Sequence, residues 1–242
     1  MQGVRRLKVS RLRIALLVVA MAASTAGANI AFATWNLHWF PSGRANRRMS
    51  ETTERRHAKA IGEALGSMLE SVCQTNGDFV LFLQEVRDEK CCKSLMRYAG
   101  REDAAVTSIS KSNLNLSGSM YGQQRNIYLR EMASTQVLAK IRSLRQTYGD
   151  GLRIVVAGDF NTDTDDARFI SEATLRSFYG AHFRSCFRGL KPEDRVTHPA
   201  SGPYPDATFD YILYFGFYDI TGRYLFPGSP YSDHNFVAVT LR

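Results

Sequence analysis

The chain has 242 residues, a net charge of +8, 44% hydrophobic residues and 22% charged ones. That length fits one sizeable domain with a buried core and excludes two comfortable ones. The composition is that of an ordinary globular protein and excludes low-complexity or repeat architectures. Five of the eight excess positive charges lie in residues 1–28, leaving +3 for the rest, so the high isoelectric point is no argument for nucleic-acid binding.

Arg5, Arg6, Lys8, Arg11 and Arg13 precede an apolar run from Ile14 to Ala23, and Ala26-Gly27-Ala28 follows. This is the pattern of a secretory leader, a basic region, a short apolar core and an A-x-A cleavage site. The run is too short to span a bilayer well. The expectation is a signal peptide over 1–28 and a single domain over 29–242, exported to a periplasm or secreted, with an uncleaved N-terminal anchor as the alternative. No other segment has the length and apolarity to cross a membrane.

The predicted elements follow in order. Ile30 to Leu37 is a β-prone run, hence a first strand ending at Asn36. An Arg-rich loop covers 41–55, and His57 to Val72 has helical periodicity, with Ile61, Leu65, Met68, Leu69 and Val72 on one side. Phe79 to Leu83 is a buried strand stopping at Gln84-Glu85. Residues 88–99 read as a helix and Ala104 to Ile109 as a strand, before a Ser/Asn/Gly-rich loop. Ile127 to Tyr148 is a long helix ended by Gly149-Asp150-Gly151. Leu152 to Ala157 is a buried strand running into Gly158-Asp159-Phe160-Asn161, and Phe209 to Phe215 and Phe236 to Leu241 are the last strands. Alternating strands and helices give an α/β or α+β fold with sheets covered by helices. Cys73, Cys91, Cys92 and Cys186 lack zinc-site spacing; one disulfide or four unpaired thiols are both open.

Asn36, Glu85, Asp159 with Asn161, Asp210 and Asp233-His234 all fall at ends of apolar strands. Singly, each is an ordinary turn residue. Together they are acids, amides and an imidazole at one kind of position, which is harder to assign to turns alone.

Thr34-Trp35-Asn36, Gln84-Glu85, Gly158-Asp159-Phe160-Asn161, Asp210-Tyr211 and Ser232-Asp233-His234 resemble, in order, the motifs of the endonuclease/exonuclease/phosphatase superfamily, whose members include deoxyribonuclease I. The resemblance implies a deoxyribonuclease I-like two-sheet sandwich flanked by helices. It implies Glu85 as the main ligand of Mg²⁺, with Mn²⁺ as an alternative, supported by Asn36 and Asp233. His234 would be the general base, Asp210 would fix its tautomer, and Asp159 and Asn161 would orient the nucleophile and the phosphate oxygens. Thr197-His198 and Pro205 to Phe209 extend the resemblance, with His198 open between a phosphate contact and a plain loop residue.

The sequence departs from the family between Glu85 and Asp159, where the family has a longer stretch with several strands and a second phosphate-binding histidine. Lys111-Ser112-Asn113 resembles the tail of that motif, but no histidine lies between His57 and His182, and Tyr121 is a weak stand-in. The expected sandwich therefore lacks some central strands. The implied function is a metal-dependent phosphodiester hydrolase, an exported nuclease with nucleic acid as substrate. The alternatives are a catalytically defective relative and a hydrolase of phospholipids or small phosphate esters.

Overall fold

The computed structural model describes residues 17–21, 29–42, 49–73, 78–106 and 124–242, the first of these by backbone pairing alone. Among the described residues eight strands form two four-stranded sheets, and four α-helices flank them. The first sheet has the order β3-β2-β8-β7, from β2 (Ile30–Phe40), β3 (Phe79–Val86), β7 (Ile220–Phe226) and β8 (Phe236–Leu241). The second has the order β1-β4-β6-β5, from β1 (Leu17–Met21), β4 (Arg153–Asp159), β5 (Arg184–Ser185) and β6 (Asp210–Phe215).

The period-2 alternation of β2 sorts its side chains between two cores. Ile30 and Phe32 join Ile154, Val156, Tyr211, Leu213 and Val239 in a core shared by the two sheets. Ala31, Ala33, Trp35 and Leu37 face the other way, onto α1 (Glu51–Cys73) and α2 (Glu89–Tyr98). On the second sheet's side, α3 (Gln124–Tyr148) supplies Ala133, Val137 and Ile141 and α4 (Thr174–Gly180) supplies Leu175 and Phe178. The class is thus α+β, two sheets with helices outside.

Gly62 and Gly66 of α1 let α2 approach closely: a Cβ on Gly62 would lie 2.5 Å from Tyr98 Cβ. The α3 helix is tied to the segment before α4 by a buried ion pair. Arg130 Nε donates to Glu172 Oε1 at 2.8 Å and Arg130 Nη2 to Oε2 at 2.5 Å, both side chains 1% exposed.

Several boundaries differ from expectation. α1 begins at Glu51, six residues before the apolar periodicity, because Ser50 Oγ accepts from Thr53 N and Glu51 and Glu54 favour the helix N-terminus. The loop expected over 41–55 is correspondingly shorter. β2 and β3 run on to Phe40 and Val86. β7 was not expected, since a half-exposed strand containing Gly222 and Arg223 lacks a clean apolar run. Of the strand expected over Ala104 to Ile109, residues 104–106 are irregular and the rest, like Lys111-Ser112-Asn113 and Tyr121, lies outside the described residues. Among the described residues no strand lies between β3 and β4. The edge of β4 not paired with β6 is taken by β1, antiparallel from Leu17 opposite Ala157 to Met21 opposite Arg153. That segment belongs to the apolar run of the expected leader.

Candidate active site

The pairing scheme brings distant residues to one edge. β2 and β3 are parallel with Asn36 opposite Gln84, so Asn36 and Glu85 leave the sheet at the same end. β8 is antiparallel to β2, which places the turn preceding Phe236, with Asp233 and His234, at that end too. In the other sheet β4 and β6 are antiparallel with Asp159 directly opposite Asp210. Asn36 is 3% exposed, Asp159 5%, Asp210 0% and His234 5%, while Glu85 is partly buried and Asp233 exposed.

Hydrogen bonds link the two sheets. Asn36 Nδ2 donates to Asp159 Oδ2 at 3.1 Å, while Asn36 Oδ1 accepts from His38 N. Asp159 Oδ1 accepts from Asn161 N at 2.8 Å. His234 Nδ1 lies 2.7 Å from Asp210 Oδ2, which fixes the ring and leaves Nε2 for the site. Glu85 Oε2 accepts from Trp39 N. The Ser232-Asp233-His234 turn is pinned to the end of β2: Ser232 Oγ donates to the Asn36 carbonyl and accepts from His234 N, and Trp35 Nε1 donates to the His234 carbonyl. Thr197 Oγ1 accepts from both Phe209 N and Asp210 N, setting the start of β6. Gly228 closes the turn from behind. Its carbonyl accepts from Tyr231 N and Ser232 N, and a Cβ there would collide with the His234 carbonyl.

Backbone strain concentrates here. Among the described residues five non-glycine positions have positive φ, and four of them, His38, Trp39, Glu85 and Asn161, belong to the strand ends that build the cluster. Such conformations cost on the order of 1 kcal/mol or more each and persist where packing over-determines them.

Electrostatics follow from four carboxylates and three imidazoles in one place. Burial raises the Glu85 carboxyl above its ordinary value and pushes Asp159 up to about 7. Burial disfavours a charged His234, but the Asp210 charge and hydrogen bond outweigh it and push the imidazole up to about 10. Burial likewise raises Asp233, yet the hydrogen bond from His38 and the nearby imidazole charges bring it down to about 2. His198 is lowered by burial and by the His234 charge. Among the described residues no lysine or arginine forms an ion pair with Glu85, Asp159, Asp210 or Asp233.

Every residue expected at the site is therefore in one cluster. Asp233 faces two imidazoles: His38 Nδ1 is 2.8 Å from Asp233 Oδ2, and His198 Nε2 is 4.0 Å from the same oxygen. His198 is 3% exposed and its ring centroid is 4.9 Å from that of His234, so it is not a surface loop residue. His38 was missed by sequence reasoning, although it sits two residues beyond Asn36 on the same strand. A groove of about 520 Å³ opens beside His38 and Asp233, with Pro41, His57 and Tyr231 along its wall.

The four thiols are all free, three of them buried, and none lies in this cluster. No protein-family model matches the chain, and no curated protein matches it in sequence.

Proposed function

We propose that the chain is an exported, divalent-metal-dependent phosphodiester hydrolase of the endonuclease/exonuclease/phosphatase type, cleaving nucleic acid. The observation that carries this reading is the convergence of Asn36, Glu85, Asp159, Asn161, Asp210 and His234 from both sheets onto one edge, with the Asp210–His234 pair at its centre. The two sheets with helices outside are the arrangement expected of a deoxyribonuclease I-like sandwich, and the five ordered motifs support the same assignment.

Glu85 and Asn36 suit a hard cation such as Mg²⁺ or Mn²⁺: both present oxygen donors, and the partly buried Glu85 carboxylate has no lysine or arginine paired with it among the described residues. Bound there, the ion would neutralise charge developing on the phosphate and lower the proton affinity of the nearby imidazole. The chain's own residues do the rest. Asp210 holds His234 with Nε2 directed to the site, where it takes the proton of an attacking water. Asp159, held by Asn161 N and Asn36 Nδ2, orients that water. Asn161 offers its side-chain amide to a phosphate oxygen.

The test is cleavage of supercoiled plasmid DNA with Mg²⁺ or Mn²⁺, against an EDTA control, alongside Glu85→Ala and His234→Ala, with folding followed by circular dichroism. Cleavage that needs the metal and both side chains is expected. A folded protein that leaves DNA intact, or cleavage indifferent to both substitutions, would overturn the proposal.

A further inference from the structure

His198 is a buried imidazole without a hydrogen bond. Its Nδ1 is fully enclosed with no partner, and its Nε2 is directed at Asp233 Oδ2 from 4.0 Å, beyond hydrogen-bonding distance. An unpaired polar group so enclosed is unfavourable in a folded protein. The chain nevertheless fixes the residue firmly: His198 N and O both pair with Ala207, and its ring packs on Phe209.

The space in front of Nε2 is suited to a cation. One donor atom from each of His198, Asp233 and His234 lies within 4.8 Å of the other two. The carboxylate of Asp233 disfavours an anion there. His234 is already oriented from behind, as outer-shell partners orient metal ligands: Asp210 Oδ2 holds its Nδ1 at 2.7 Å. Asp233 is held by His38 Nδ1, 2.8 Å from Oδ2, the same oxygen that faces His198 Nε2. The set is two imidazoles and one carboxylate, which suits borderline ions such as Zn²⁺ or Co²⁺. It is distinct in chemistry from the oxygen donors of Glu85 and Asn36.

We propose that His198, Asp233 and His234 form a second metal subsite, selective for a borderline divalent ion of the Zn²⁺ class, and that occupancy blocks hydrolysis by taking the nitrogen of His234 that would accept the water proton. The inhibitory half rests on the function proposed above; the binding half does not.

The experiment titrates Co²⁺ and Zn²⁺ into the full chain held in saturating Mg²⁺. It reads the visible d–d absorption of Co²⁺, its displacement by Zn²⁺ and the stoichiometry by calorimetry. One ion per chain is expected, with no thiolate charge-transfer band in the near ultraviolet, which separates this site from the four cysteines. His198→Gln should weaken binding by more than the ~10–100-fold that loss of an outer-shell partner costs. Asp233→Asn, at a side chain 36% exposed, should weaken it comparably without threatening the fold. Plasmid cleavage in Mg²⁺ should fall in step with Zn²⁺ occupancy.

Binding that neither substitution weakens, a thiolate band, or no binding in the presence of Mg²⁺ would overturn the subsite. Spectroscopic binding that both substitutions weaken, in a protein without hydrolytic activity, would uphold the subsite while removing the proposed function. Hydrolysis that persists at full Zn²⁺ occupancy would overturn the inhibitory half.

Discussion

Replacing Asp210 by Asn changes a charge at the centre of the cluster while keeping its shape. In the native chain burial would lower the His234 imidazole, yet Asp210, helped by Asp159 and Asp233, pushes it from 6.5 up to about 10. That rise corresponds to a preference for the imidazolium of order 5 kcal/mol, at about 1.4 kcal/mol per pH unit. An opposite charge in direct contact supplies about 1–3 pH units of it, so in Asp210→Asn the ring should titrate between about 7 and 9. The measurement is a nuclear magnetic resonance titration of the metal-free protein in EDTA, with the His234 resonance identified by its loss in His234→Gln. Linkage gives a second readout. A raised folded-state pKa stabilises the fold fully below pH 6.5, and that stabilisation is lost as pH rises through about 10. The native chain should therefore exceed Asp210→Asn in stability most clearly below pH 6.5, and the gap should narrow toward pH 10. A variant whose His234 still titrates near 10 would refute the reasoning, as would a native His234 that titrates at 6.5 or below.

Glu172→Gln should destabilise by about 3–5 kcal/mol in urea unfolding, because it leaves the Arg130 guanidinium buried opposite a neutral group; replacing both residues by Met should cost less, and a single-variant loss below about 1 kcal/mol would contradict the assignment. Gly62→Ala should lose about 1–2 kcal/mol net, since the methyl group meets Tyr98 Cβ and the overpacking outweighs the gain in helix propensity. A rise in melting temperature would show that α1 and α2 can separate at no cost. With four free thiols, reductant should leave the melting temperature within about a degree, whereas loss of a disulfide typically costs 2–5 kcal/mol.

The strands that carry the site were legible because each is an apolar run cut off by a polar residue. Asn36, Glu85, Asp159, Asp210 and His234 stand at those cuts, and their convergence follows once parallel β2–β3 and antiparallel β4–β6 pairing are in place. His38 was not legible for a geometric reason. Its meeting with Asp233 depends on a bend at His38 and Trp39, where both residues take positive φ and the β2–β3 register shifts. Periodicity contains no signal for such a bend. His198 reaches the cluster through an isolated bridge to Ala207 between loops rather than through a strand, so neither alternation nor length marked it. Of the one strand expected in the shortened stretch after Glu85, residues 104–106 are irregular and the rest lies outside the described residues. That β1 would lie along β4 was not foreseen, since an apolar leader core and a short strand share one composition.

Gly228 gives the site a dependence on a residue with no chemistry of its own. The Ser232-Asp233-His234 turn rests against its bare Cα, and the acids and imidazoles in front of it would all survive a substitution there in name only. A chain with any other residue at that position would retain every acid and imidazole of the cluster, and an inventory of side chains would find nothing missing. What it would lack is the seat of one carbonyl oxygen, and with it the distance between His234 and Asp210. The geometry of the cluster is thus set by empty volume as much as by functional groups, and that volume is held open by the smallest residue in the turn.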